Sequence, residues 1–194
     1  CHKTALPCVI WVKTGFPIQQ KGSGRMDTQA LEERFPEADD EILSEAVSRY
    51  GPPLLRYCHH ILCDYHEAQD AVQITFCKAY TRRARFRRGS NLSAWLYRLA
   101  YTTCIDLLRR RKRQLFSPPA APVSDPDYIG PQLRAALLTL SPQERALVFG
   151  RVMEERSYEE LSQMLGHSAA TLRKHYERAR HKLARALTEQ EESL

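Results

Sequence analysis

Three consecutive blocks decide the reading: DAVQITFCKAY at residues 70–80, RFRRGSNLSAWLYRLA at 85–100 and CIDLLRRRKR at 104–113. Ala68, Ala71, Val72, Thr75, Phe76 and Ala79 recur every three or four residues. That is the period of an amphipathic helix, and it leaves Gln69, Asp70, Gln73 and Lys78 towards the other side. Gly89-Ser90-Asn91 breaks the pattern and supplies a cap for the next helix. Leu92, Leu96, Leu99, Ala100, Thr103 and Leu107 then continue at helical spacing until Arg109 opens a charged run. From Arg82 to Arg113 eleven basic residues stand against the single acid Asp106, whereas residues 32–45 are strongly acidic. The net charge of +6 over 194 residues is therefore segregated, and a cationic edge of this kind favours an anionic partner.

Upstream, Ile42, Leu43, Ala46, Val47 and Tyr50 have helical spacing, and Leu54, Leu55, Cys58, Ile61 and Leu62 resume it after Gly51-Pro52-Pro53. The interruption predicts two helices or one kinked pair. Residues 1–25 read as a leader set apart from the fold, with Gly22-Ser23-Gly24 as a spacer and Met26 as a candidate natural start.

Downstream, residues 114–131 hold five of the eleven prolines and read as an extended linker. Leu133, Ala136, Leu137 and Leu140 mark the next helix. Ser141-Pro142-Gln143-Glu144 and Ser157-Tyr158-Glu159-Glu160 are capping boxes that start two more. Gly166 permits a left-handed turn, and Ser168 can cap a last helix in which Leu172, Tyr176, Ala179, Leu183 and Leu187 face inward. Arg173, Lys174, Glu177, Arg178, Arg180 and His181 face out. Helix, tight turn and helix with a basic outer face suit a rod lying in the DNA major groove. Nothing alternates with period two long enough for a strand. The expected fold is all-α: a helical domain at 26–113 and a helix-turn-helix domain at 132–190, joined by the proline-rich linker.

No stretch approaches the roughly 18–20 continuous apolar residues of a membrane span, so no membrane insertion is expected and the protein should work in the cytoplasm. The six cysteines follow no repeated spacing, and Cys77 and Cys104 fall on apolar positions, as small buried hydrophobes in a reducing compartment do. Cys58, His59, His60, Cys63 and His66 offer zinc's preferred ligand types. Five residues along a helix turn Cys58 and Cys63 away from each other, so no metal and no cofactor is expected. Each element also has a plain reading. A basic outer face is usually a solvated face, the arginine run can be a nonspecific phosphate clamp, and Trp95, Tyr97 and Tyr101 can be core aromatics. Their occurrence together, in one order and around one linker, weighs against that reading.

The blocks at 70–80, 95–100 and 104–113, followed by LSPQERALVFGRVMEERSYEELSQMLGHSAATLRKHYERARHKL at 140–183, closely resemble the second and fourth regions of bacterial sigma factors of the extracytoplasmic-function group. The resemblance covers about residues 40–190, and the large domain that lies between these regions in housekeeping sigma factors is missing. It implies a promoter-specificity subunit without catalysis of its own, with bacterial core RNA polymerase, promoter DNA and an anti-sigma factor as partners. It carries over Asp70, Gln73 and Phe76 to the polymerase-binding helix, with Asp70 and Gln73 as polar contacts and Phe76 as core. It assigns Phe86, Asn91, Trp95, Tyr97, Arg98, Thr102, Arg109 and Arg110 to the minus-10 element, where aromatic platforms stack an unpaired base. It assigns Thr171, Arg173, Lys174, Glu177 and Arg178 to the minus-35 element, where arginine can fork to guanine. Family members often carry asparagine just after the WLYR-I-A block, where Tyr101-Thr102 stands here. The competing expectation is a stand-alone helix-turn-helix regulator of duplex DNA, which leaves residues 70–113 without a role.

Overall fold

The computed structural model describes residues 27–113 and 129–191. The leader at 1–25 and most of the proline-rich stretch lie outside the described residues. In the N-terminal unit α1 (Thr28–Arg34) runs through a short 3-10 turn (Phe35–Glu37) to α2 (Asp40–Leu62). A sharp turn leads to α3 (Tyr65–Arg82), a second 3-10 turn (Arg83–Arg85) and α4 (Leu92–Arg113). The C-terminal unit holds α5 (Pro131–Leu138), α6 (Pro142–Val152), α7 (Tyr158–Leu165) and α8 (Ala169–Glu191). No strand occurs among the described residues, as the all-α reading required.

Gly51-Pro52-Pro53 does not divide α2, which runs through both prolines. Each proline removes a backbone donor. Tyr50, Gly51, Leu54 and Leu55 around them are all buried, so packing holds together a helix that its local sequence disfavours. Cys63 ends α2 in the left-handed region at φ 56°, its N–H donating to the His59 carbonyl at 2.7 Å. Both C-terminal capping boxes are formed: Ser141 Oγ accepts from Glu144 N–H at 3.3 Å and Ser157 Oγ from Glu160 N–H at 3.1 Å, with each glutamate bonded back. Gly166 ends α7 at φ 74°. The linker expected to reach residue 131 stops short of it, because Pro131 is the first residue of α5 and Ile129 is already buried. Proline suits that position, where its missing N–H would have no partner and its fixed φ is helical.

The N-terminal core is built from the predicted stripes. Ala68, Ala71, Val72, Thr75, Phe76 and Ala79 of α3 are all buried against α2 and α4. The two units share an apolar seam as well. Leu147 and Phe149 of α6 and Leu161, Met164 and Leu165 of α7 join one continuous core with Tyr57, Leu96, Tyr97 and Ala100 of the N-terminal unit. Arg145 of α6 is buried across the seam: Nε donates to the Leu140 carbonyl at 3.2 Å, while one terminal nitrogen donates to the Ile61 carbonyl and lies 3.3 Å from Cys63 Sγ. Gly150 of α6 lets α7 come close, since a Cβ there would stand 2.5 Å from Leu161 Cδ2.

Two stability effects follow. Leu161 is fully buried, so Leu161→Ala should cost about 2–5 kcal/mol, read as a lowered urea midpoint. His60 packs its ring 4.6 Å from that of Phe149, and burial pushes its pKa below the ordinary histidine value. The folded form then binds fewer protons than the unfolded chain. The stability this brings is complete above about pH 6.5 and is lost as pH falls from there towards the lowered folded-state value. The thermal midpoint should drop between pH 7.5 and pH 5.5, and His60→Leu should make that drop smaller.

Candidate functional site

Three surfaces carry the residues singled out by sequence. On α3, Asp70 is exposed and Gln73 half-buried, one turn apart on the face turned from the core. Gln73, Ile74, Cys77, Lys78, Thr81 and Arg82 line a shallow open groove of about 370 Å³. Lys78 is fixed by α4, its Nζ donating to Thr103 Oγ1 at 3.0 Å and lying 3.6 Å from Asp106. Phe76 points the other way and is core, 6% exposed.

The second surface is the basic loop at 86–91 with α4. Asn91 Oδ1 accepts from the Ala94 N–H at 2.8 Å, so its side chain caps α4. Phe86 is buried, and Trp95 is half-buried with its ring 5.3 Å from that of Phe86. Arg98, Thr102, Arg109 and Arg110 are exposed. Gly89 turns the loop at φ 70°. The cationic end of α4 projects into solvent, with Arg111 paired to Glu67 of α3 at 3.5 Å.

Tyr97 does not share that exposure. It is 1% exposed and lies under the turn between α6 and α7. Its hydroxyl donates to Glu154, and the Arg156 guanidinium sits over its ring at 4.5 Å. Arg156 also pairs with Glu154 at 2.7 Å and donates to Ser93 Oγ at 3.2 Å, while the Tyr57 ring meets that of Tyr97 at 4.9 Å. Burial first, and then the Glu154 carboxylate, push the Tyr97 phenol well above its ordinary value, so it is a neutral donor throughout the physiological range. Glu154 and Arg156 had no sequence signal, being two charged residues in a polar turn. Phe86 and Tyr97, expected to face DNA, are both enclosed in this arrangement.

The third surface is the outer face of α8. Arg173, Lys174, Glu177 and Arg178 are exposed there. Glu177 pairs with Arg180 at 3.1 Å, and the Arg173 guanidinium lies 5.2 Å from the Tyr158 ring of α7. Thr171 is half-buried, its N–H donating to Ser168 Oγ at 3.2 Å and its hydroxyl sharing a 2.8 Å bond with the same atom. Its first duty is thus at the helix start. Tyr176 packs inward, as its helical phase predicts. The cysteine and histidine cluster does not assemble a metal site: Cys58 is core, Cys63 faces Arg145, and no group of three or more potential ligands converges among the described residues.

The family descriptions "Sigma-70 region 2" and "Sigma-70, region 4" match residues 46–114 and 131–183. The RNA polymerase sigma factor YlaC of Bacillus subtilis is 31% identical over 152 residues, spanning 72% of this chain and 86% of its own length. The ECF RNA polymerase sigma factor SigE of Mycolicibacterium smegmatis is 29% identical over 152 residues, 72% of this chain and 59% of its own. Among solved structures, the fold is shared with the Bartonella quintana sigma factor RpoE bound to the anti-sigma factor NepR, at TM-score 0.63, 24% identity and coverage of 75% of this chain and 96% of that one. It is shared equally with CnrH bound to the cytosolic domain of CnrY, at TM-score 0.66, 21% identity and coverage of 82% and 96%. The match to region 2 covers residues 70–113, the stretch that a stand-alone regulator leaves unexplained. On these matches the chain belongs to the extracytoplasmic-function group of the sigma-70 family, the RNA polymerase sigma factors that initiate transcription.

Proposed function

We propose that the three surfaces divide the work of a sigma factor. The α3 face carrying Asp70 and Gln73 docks on core polymerase. The loop at 86–91 and α4 take the minus-10 element, and α8 reads the minus-35 element in the major groove. The observation that carries this reading is the segregation of the surfaces: Asp70 lies on one helix face, and the exposed cations of α4 and α8 lie on others. Arg98, Arg109 and Arg110 are free to neutralise phosphates, and Thr102 stands exposed beside them. Trp95 offers part of an aromatic ring to an unstacked base. Tyr97 reaches DNA in this reading only after Glu154 and Arg156 move off its ring. Phe86 and Asn91 then serve by shaping the loop, with Phe86 packed beneath it and Asn91 capping α4.

The protein carries no chemistry of its own in this proposal: binding energy opens the DNA, without ATP or a cofactor. Core polymerase places it in the cytoplasm, and no helix among the described residues is long and apolar enough to cross a membrane. One of the solved neighbours, RpoE of Bartonella quintana, is a complex with the anti-sigma factor NepR, which supports a partner of that kind here, covering the polymerase-binding surface.

Asp70→Lys combined with Gln73→Ala should weaken core polymerase binding at least tenfold in co-elution at one to one, with an unchanged circular dichroism spectrum; retained binding would remove the docking assignment from α3. Arg173→Ala should lose about 1–3 kcal/mol of discrimination between cognate and scrambled minus-35 duplexes in competition binding. A uniform loss across all sequences would make Arg173 a phosphate contact instead.

A further inference from the structure

The matched family region begins at residue 46, yet residues 28–37 are built into the basic loop. Phe35 is fully buried and meets Phe86 of the loop and Trp95 of α4 edge-on, at 5.7 Å and 5.9 Å between ring centroids. Glu32 Oε1 accepts from the backbone N–H of Leu92, the first residue of α4, at 2.9 Å. An exposed ion pair joins Glu37 to Arg88. Thr28 Oγ1 accepts from Arg49 of α2 at 3.0 Å, tying α1 to the rest of the unit.

We propose that Glu32 and Phe35 are positioning residues for the minus-10 contact, holding the loop at 86–91 and the start of α4 in the geometry that receives melted DNA. This rests on the assignment of that loop to the minus-10 element. The first turn of a helix has backbone donors without intrahelical partners. Asn91 supplies an acceptor for Ala94 N–H, and Glu32 supplies one for Leu92 N–H from sixty residues away. A carboxylate there also lies at the positive end of the helix dipole. Phe35 fills the space under Phe86 and Trp95, so the aromatic side of the loop has a fixed floor. The Glu37 to Arg88 pair is 75% and 60% exposed and screened by salt, so the positioning falls to Glu32 and Phe35. A loop held in advance does not lose its ordering entropy when DNA arrives.

The test uses full-chain protein in holoenzyme with bacterial core polymerase. Its probe is the fork-junction DNA that wild-type holoenzyme selects from a library randomised at the minus-35 and minus-10 positions. Glu32→Ala should lower affinity for the single-stranded minus-10 tract about tenfold. Binding to core polymerase and to the duplex minus-35 part, and the thermal midpoint, should stay within about twofold and two degrees of wild type. Glu32→Gln keeps an acceptor oxygen and should restore affinity to within about twofold; a merely structural glutamate would shift the midpoint and the minus-35 binding together. The control is Arg87→Ala with Arg88→Ala. If the control loses minus-10 affinity and Glu32→Ala does not, the positioning role is overturned while the loop assignment stands. If neither variant changes minus-10 affinity, both fall.

Discussion

Helix α4 must be buried from several sides at once, and most of the architecture answers to that demand. Leu92, Leu96, Leu99, Ala100 and Cys104 are buried along it, α3 and α2 cover one flank, and α7 covers another. Each fully buried leucine is worth roughly 1.5–3 kcal/mol relative to exposure, so the helix cannot be left half covered. Its last turn carries Arg110, Arg111, Lys112 and Arg113, where cations suit the negative end of the helix dipole. One rod thus combines an apolar shaft that organises two units with a cationic tip that stays in water. The loop before it and the turn between α6 and α7 are both placed by where α4 lies.

The fold was legible wherever helical period and end signals agreed. The α3 stripe, the cap at Asn91, both capping boxes and the glycine at 166 were read from residues within one or two turns of each other, and these interactions are local. Pro52-Pro53 was harder. The local rule breaks a helix there, and tertiary burial of Tyr50, Leu54 and Leu55 overrides it. The seam between the units was not legible. Arg145 looks like an ordinary helical arginine in LSPQERALV, and two of its three acceptors are backbone carbonyls, which have no sequence identity.

The surfaces were legible to a lesser degree. Outward positions of α3 and α8 follow from helical phase, which is why Asp70, Arg173, Lys174 and Arg178 stand exposed. Aromatics were the weak point, because one aromatic type serves equally as stacking platform and core filler. Phe86 is held by Phe35, and Tyr97 by Glu154 and Arg156, across gaps of more than fifty residues that no periodicity reports. Pairings at such separation become visible only once the chain is folded.

The capping boxes at Ser141 and Ser157 bear on the order in which the molecule assembles. Each closes within four residues, so the first turns of α6 and α7 are marked by local contacts with little loop-closure entropy, although helices of 11 and 8 residues need the core to persist. The bonds from Arg145 to Ile61 and from Tyr97 to Glu154 span 84 and 57 residues and carry the larger loop-closure cost. A ribosome delivering this chain releases the N-terminal helices first. Their seam face then stays uncovered until residues 142–165 emerge to close it.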